Sequence, residues 1–378
     1  MFELSVEELL EFLRRLRSED PSYVRGEVLG SMSTEPSKYL LEAYNIFVNT
    51  NLNDPVLFRN TYRLELECVE WLSKLMYGSG YGLLTYGGTE SNLTALYILR
   101  EFSGGDTVIA PKTVHVSIRK ACKVLKLNLV EVGVGEDYIP DVDELCNTIR
   151  RYEGRIACVV MTAGTTDLGI VEPVDKLVST CGDVDYVVHV DAAYGGLITQ
   201  FISDLDPNIP VYDFRLSKVY TITVDLHKVF TPIPCSALLL RSKELEDFIT
   251  FEAPYMPLGK QRSLLGTRTG GIAATAWLAI KSLGYEGFKQ LVHDLVRRAD
   301  YLSSRLADLG VEVLRRHRLP IVAFRVGNAR DVMRRLWGLR MYVYPTSIPN
   351  TLRVVVGPHI TYEVIDRFVG VLANMLNK

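Results

Sequence analysis

RIACVVMT (155–162), DYVVHVD (185–191) and YTITVD (220–225) are the stretches that decide the fold. Each is a short, nearly continuous apolar run rich in β-branched residues, the pattern of a strand covered on both faces. DTVIA (106–110) and CSALLL (235–240) have the same character. Helix-like stretches at 91–102, 116–125 and 174–181 lie between several of them. Such alternation predicts an α/β domain with a mostly parallel sheet covered by helices. Upstream, 63–76 reads as a helix, since Leu64, Val69, Leu72 and Leu75 recur near helical spacing. Residues 21–60 hold many turn formers and read as irregular, after an amphipathic helix in MFELSVEELLEFLRRL. Downstream, Leu291, Leu295, Leu302, Leu306 and Leu309 mark one face of a helix closed by Gly310. VEVL (311–314), IVAFRV (321–326), MYVY (341–344) and LRVVV (352–356) read as strands, with a helix over 331–337. Thr361 can cap a last helix that runs to the end. The expected organisation is an N-terminal helix and extended segment (1–60), a large domain (61–285) and a smaller α+β domain (286–378), with the break near 284–287.

Composition narrows the function classes. Hydrophobic residues make up 48% of the 378 and charged residues 23%, ordinary values for a chain with a packed core. The net charge of −3 and a pI near 6.1 argue against a broad nucleic-acid face. Arg14-Arg15 and Arg315-Arg316 read as solvated faces. The longest apolar run, 272–280, is too short to span a bilayer, and the start lacks the pattern of a secretory leader. A cytoplasmic location without membrane contact is the expectation. None of the six cysteines forms a C-x-x-C pair, so no zinc knuckle, dithiol motif or other metal site is expected. Cys158 and Cys235 fall in apolar runs as core residues, and a reducing compartment fits the set.

The chemistry lies at strand ends. In HVDAAYGG (189–196), Asp191 ends a buried strand, where open α/β sheets place ligand groups. A carboxylate there needs a cation or several donors. A pyridinium nitrogen supplies the first, and a cap on the next turn accounts for Asp191 equally well. In TVDLHK (223–228), Lys228 follows a strand and His227, and an amine at the mouth of a sheet can form a Schiff base. Thr223 and Asp225 complete that strand end. YGGTESN (86–92) leads into a helix, and Gly87 and Gly88 let backbone N–H groups approach an anion. It matches neither the dinucleotide nor the P-loop pattern, so a small cofactor phosphate suits it better. His115, beyond DTVIA, could stack on a flat ring while Ser117 reaches a phosphate. Its plainer reading is a hydrogen-bonded core histidine. AGTTDLG (163–169) adds Thr165 and Thr166 as short donors, or simply a polar turn.

Together these motifs resemble the pyridoxal 5′-phosphate (PLP)-dependent group II decarboxylases, a branch of the aspartate-aminotransferase (type I) fold. The likeness is greatest to the archaeal L-tyrosine/L-aspartate decarboxylases. It extends from LGSMSTEPS (29–37) and NTNLNDPVLF (49–58) to LRVVVGPHI (352–360). It implies that Lys228 is the Schiff-base lysine, Asp191 the partner of the ring nitrogen and His115 the ring-stacking residue. It further implies Ala193 on the opposite ring face, and Gly88, Thr89 and His227 in the phosphate cup, with Ser117, Thr165 and Asp225 also near the cofactor. EAPYMPLGKQRSLLGTRTGG (252–271) is similar to the family's mobile loop and the turn after it. Tyr255 is then the loop tyrosine that protonates the substrate carbon, a step that His115 could also serve. Gly266 and Thr267 would reach the neighbouring subunit's cofactor, which implies a homodimer. Arg353 stands where the family places a substrate-carboxylate arginine, and a structural ion pair explains it as well. Leu226 departs from the family, which usually has proline before the histidine.

The resemblance implies decarboxylation of an amino acid. L-aspartate, giving β-alanine for coenzyme A synthesis, is the favoured substrate, with Lys260 and Arg262 beside the loop as attractors of an acidic side chain. L-tyrosine and L-glutamate remain open, as do transamination, elimination and carbon–carbon lysis on the same fold.

Overall fold

The computed structural model describes residues 5–228, 230–231 and 233–376. The first four residues of the expected N-terminal helix and the last two of the final one lie outside the described residues. In chain order come α1 (Val6–Glu19), α2 (Lys38–Phe47), α3 (Arg59–Leu75), β1 (Tyr81–Thr85), α4 (Gly88–Ser103), β2 (Thr107–Pro111) and α5 (Val116–Leu125). Then follow β3 (Asn128–Val132), α6 (Val142–Arg151), β4 (Ile156–Thr162), α7 (Val174–Thr180), β5 (Val188–Asp191), α8 (Gly196–Thr199), β6 (Val219–Asp225) and β7 (Ser236–Leu240). A small hairpin of β8 (Thr250–Glu252) and β9 (Lys260–Arg262) precedes the long α9 (Gly270–Asp308). The chain ends with β10 (Val313–Leu314), β11 (Ile321–Arg325), α10 (Ala329–Gly338), β12 (Tyr344–Pro345), β13 (Thr351–Val355) and α11 (Tyr362–Leu376).

Two compact units result. The larger comprises residues 36–294 with 316–319, and the smaller takes the first 35 residues, 295–315 and 320 onward. The expected break near 284–287 coincides with a kink in α9 at Gly284, while the units themselves divide after Asp294.

The larger unit is built on a seven-stranded sheet in the order β1-β7-β6-β5-β4-β2-β3. All strands run parallel except β7, which is antiparallel to both neighbours. Every residue of β4 and β5 is buried. Successive side chains point to opposite faces, so both faces of the sheet centre are covered. On one face, Leu96 and Leu99 of α4 and Ile118 and Cys122 of α5 pack against Val108, Cys158 and Val160. β1, β3 and α6 escape the sequence reading: β1 is broken by Gly82, β3 is a partly exposed edge, and α6 carries charges at four of its ten positions. The 21–60 stretch, expected to be irregular, contains α2, whose start is capped by Ser37 accepting from the Leu40 N–H. None of its residues is buried within the chain, which is why its apolar pattern stands out little from its turn-rich flanks. Cys146 and Cys181, 35 residues apart, form a disulfide between α6 and the end of α7 that local spacing does not reveal.

The smaller unit has a four-stranded antiparallel sheet in the order β10-β11-β13-β12. Its core gathers Leu302 and Leu306 of α9, Phe324, Leu336, Leu352 and Phe368. Leu29 joins that core, and its backbone bonds Tyr342 and Val355, which binds the N-terminal segment to this unit. Glu27 adds ion pairs to Arg25 and Arg340, and those guanidinium groups hold its carboxyl well below the usual range.

Candidate active site

Because β1, β2, β4, β5 and β6 are parallel, their carboxyl ends share one edge of the large sheet. That edge is where open α/β sheets present ligand groups. Asp191 ends β5, Asp225 ends β6, His115 caps α5 just after β2, and the Gly87-Gly88 turn links β1 to α4.

Lys228 is the centre of one cluster. Its Nζ lies 3.0 Å from Asp225 Oδ2, and His227 Nε2 stands 3.7 Å from the same oxygen. His227 Nδ1–H donates to the Cys235 carbonyl at 2.9 Å, which settles its orientation. The glycine turn closes on this group. A Cβ at Gly88 would come 2.8 Å from Asp225 Oδ1 and 3.3 Å from the Ala193 Cβ, and one at Gly87 would face the His227 ring at 3.6 Å. Asp225 Oδ1 is buried and accepts no hydrogen bond among the described residues, and the same holds for the hydroxyls of Thr162 and Thr223 at the ends of β4 and β6. Among the described residues these buried polar atoms at the sheet edge have no hydrogen-bond partner.

Asp191 is the centre of a second cluster and is only 4% exposed. Its Oδ2 accepts from Asn92 Nδ2 at 2.8 Å and its Oδ1 from the Ala193 N–H at 3.1 Å. Each carboxylate oxygen thus accepts one hydrogen bond, which fixes the plane of the group. Asn92 also donates to Ser117 Oγ at 2.8 Å, and Ser117 in turn meets His115 Nδ1 at 2.8 Å. Burial lowers the pKa of His115, Asp191 counteracts that and Lys228 adds to it, so all three lie within one electrostatic neighbourhood.

The structure thus brings together Lys228, Asp225, His227, Gly88 and Ala193, and joins Asp191, Ser117 and His115. Thr165 lies buried at its own turn, where its hydroxyl accepts from the Ile170 N–H at 3.0 Å. The remaining expected residues are described by their exposure and local partners. Thr89, Gly266 and Thr267 are exposed. Tyr255 is 82% exposed at the tip of the β8–β9 hairpin. Arg353 belongs to the smaller unit, on β13, opposite Ala323 and Tyr344. Arg262, expected to attract an acidic substrate, instead pairs with Glu246 at 2.6 Å and donates to the Gly82 carbonyl. Its guanidinium satisfies the edge of β1.

Four groups were not singled out from sequence. Asn92 and His189 sit inside stretches quoted for other residues, and their contacts appear only once the strands are laid side by side. Glu172 is fully buried, with Thr113 Oγ1 donating to it at 2.6 Å and the Thr162 N–H at 2.7 Å. Burial pushes its pKa up to about 7. Arg268, beside exposed Thr267, is buried and ion-paired with Glu65, and donates to Asn53 Oδ1 at 2.8 Å. A charge next to an exposed turn reads as a surface residue until the fold closes over it.

Comparison with known proteins identifies relatives of the chain. The family model described as the pyridoxal-dependent decarboxylase conserved domain matches residues 105–327. The chain is 36% identical to a probable L-tyrosine/L-aspartate decarboxylase of Methanothermobacter thermautotrophicus, covering 91% of this chain and 96% of that one. It is 33% identical to an L-aspartate decarboxylase of Thermococcus kodakarensis, over 96% and 95%. Among solved structures, a sphingosine-1-phosphate lyase of Burkholderia pseudomallei shares the fold, with a TM-score of 0.88 at 24% identity, covering 99% of this chain and 92% of that one. The chain belongs to the pyridoxal-dependent decarboxylase family, and is a PLP-dependent amino-acid decarboxylase of the type I fold.

Proposed function

We propose that the protein removes the α-carboxylate of L-aspartate to give β-alanine and carbon dioxide, working as a homodimer with Lys228 carrying the cofactor. The observation that supports this reading of the site is the meeting of Lys228, Asp225, Gly88 and Ala193 at the sheet edge that also holds Asp191. Aspartate is favoured because it is common to the names of both archaeal relatives.

The residues suit PLP. A glycine that leaves no room for a methyl group permits close approach to a phosphate, and the start of α4 behind it favours an anion. In this reading Gly88, Thr89 and His227 cup the phosphate, with Ser117 and Thr165 nearby. Asp191 holds the ring nitrogen protonated. His115 and Ala193 would hold the ring between them. When bound, the cofactor accepts the electron pair released as the bond from Cα to the carboxylate breaks.

The chain's own groups do the rest. Lys228 Nζ would hold the cofactor covalently, and Asp225, 3.0 Å away, would steady that amine at the rim. Arg353 receives a substrate carboxylate. Tyr255 delivers a proton to Cα once its loop has closed, which also excludes water. Gly266 and Thr267 reach the partner's cofactor, an orientation supported by their exposure and by the buried Arg268–Glu65 anchor behind them.

Carbon dioxide release should be measured with L-aspartate, L-glutamate and L-tyrosine. The expected result is a kcat/KM at least about tenfold higher for aspartate, a difference of about 1.4 kcal/mol in transition-state binding. Equal or higher turnover of tyrosine overturns the substrate, and keto-acid formation in place of carbon dioxide overturns the reaction. Lys228→Ala should abolish the visible absorbance of the lysine-bound cofactor. If that band persists unchanged, the assignment of Lys228 is wrong.

A further inference from the structure

The two groups assigned to the cofactor ring, Asp191 at its nitrogen and His115 on one face, are not independent. Asn92 Nδ2 carries two hydrogens and has two acceptors, Asp191 Oδ2 and Ser117 Oγ, both at 2.8 Å. An ionised carboxylate only accepts, so the Asn92 amide nitrogen must face Asp191 and its carbonyl oxygen must face His189. His189 Nε2 lies 3.0 Å from that oxygen and therefore donates, which makes His189 Nδ1 the acceptor of the Thr221 hydroxyl at 2.8 Å. At the other end, the Ser117 N–H donates to His115 Nδ1 at 3.2 Å, so Nδ1 carries no proton. Ser117 Oγ, having accepted from Asn92, donates to the same nitrogen at 2.8 Å. Every donor direction from Thr221 to His115 is then fixed. Apart from the His115 ring, these side chains are buried: Thr221, His189, Asn92, Ser117 and Asp191 are each 4% exposed or less.

We propose that Asn92 is a positioning residue that joins Asp191 and His115 in one directional hydrogen-bond chain, Thr221 to His189 to Asn92 to Ser117 to His115. The chain aims the Asp191 carboxylate and presents a neutral His115 with its single proton on Nε2. It rests on the cofactor reading above, in which Asp191 meets the ring nitrogen and His115 a ring face. The reasoning for its role is physical. A lone carboxylate at the end of a buried strand would have a free torsion, whereas two donors on its two oxygens fix its plane. An imidazole held at Nδ1 offers only a donor at Nε2, so His115 meets a substrate carboxylate or a departing product as a hydrogen-bond donor. His189 serves as the neutral relay, and burial lowers its pKa to about 4.

The chain can be read without cofactor. Selective 15N labelling of the six histidines in the apoprotein, assigned with His115→Phe and His189→Phe, reports which ring nitrogen is protonated. Both His115 and His189 should carry the proton on Nε2 at neutral pH. A proton on Nδ1 of either ring reverses the chain and overturns the proposal, whatever the fate of the cofactor reading. In Asn92→Leu the His189 Nε2 proton should lose its acceptor and exchange rapidly with water. Slow exchange in that variant also overturns the proposal. In the loaded enzyme, Asn92→Leu should lower kcat at least tenfold while the amino-acid KM moves less than about twofold. Combining it with His189→Leu should add less than a further twofold, because both break one chain. Losses that multiply, or a kcat equal to wild type, count against it. Should Asn92→Leu fail to fold, Thr221→Val trims one hydroxyl at the far end, and His189 should keep its proton on Nε2, because Asn92 Oδ1 still accepts it. A shift of that proton to Nδ1 sinks the idea. Failure of the cofactor reading is separately visible as a Lys228→Ala variant that keeps its visible band.

Discussion

Gly88 shows how a single atom shapes the site. A methyl group there would come 2.8 Å from Asp225 Oδ1, and that oxygen is already short of partners. Gly88→Ala is expected to weaken PLP binding at least tenfold, read by titrating the apoprotein at the visible band, while leaving the unfolding midpoint within a few degrees. An unchanged affinity would separate the glycine turn from the phosphate. Glu172 and His189 contribute to the pH dependence of stability with opposite signs. Glu172 is raised from 4.5 to about 7, so the folded chain binds more protons than the unfolded one across that interval, and stability falls by about 3 kcal/mol as pH rises through it. His189 is lowered from 6.5 to about 4, so its contribution is complete above 6.5 and is lost, by about 3 kcal/mol, as pH falls towards 4. The two slopes offset each other where the windows overlap. Urea midpoints followed against pH should show Glu172→Gln gaining on wild type as pH rises, and His189→Gln gaining as pH falls. Differences that stay constant with pH would refute both assignments.

At the scale of elements, α9 and the α6–α7 pair make the clearest demands. Gly284 bends α9 with φ 58° and ψ −174°, a region open essentially to glycine alone, and no atom crowds the place of its missing Cβ. Gly284→Ala should therefore cost about 1–3 kcal/mol through backbone strain alone, measurable by denaturant unfolding. The disulfide closes a 35-residue separation, so Cys146→Ser should lower stability by about 4 kcal/mol on chain-entropy grounds, with catalysis intact at low temperature. Elements were legible in the sequence where burial on both faces left unbroken apolar runs, as in β2, β4, β6 and β7, or where spacing was helical, as in α5, which falls on the residues expected. They were not legible where the pattern is set by something distant. MYVY yields a strand only at its last residue, since Tyr342 spends its backbone groups on Glu27 and Leu29 of the N-terminal segment. The site was readable at Lys228, Asp191, His115 and Gly88 because each adjoins a strand end. Asn92, Glu172 and Arg268 were not, because their significance lies in partners far along the chain.

For the whole molecule, the exposed apolar residues carry the expectation of assembly. α1 exposes Leu9, Phe12, Leu13 and Leu16, and α2 exposes Tyr39, Leu41 and Ile46, yet neither helix buries a single residue in its own chain. Sedimentation should give twice the 42.5 kDa chain mass, and a monomer with full activity would remove the homodimer from the proposed function. Among the described residues no helix is long and apolar enough to cross a membrane. The lone antiparallel strand of the large sheet has a bearing on how this architecture tolerates change. Since β7 turns straight back beside β6, with Asp225 paired to Ser236, Lys228 hangs from a reversal stitched at both stems rather than from a crossover. Lengthening that reversal by even two residues would slacken the tether and let the amine wander, whereas the crossovers between parallel strands are where added length should be absorbed without harm.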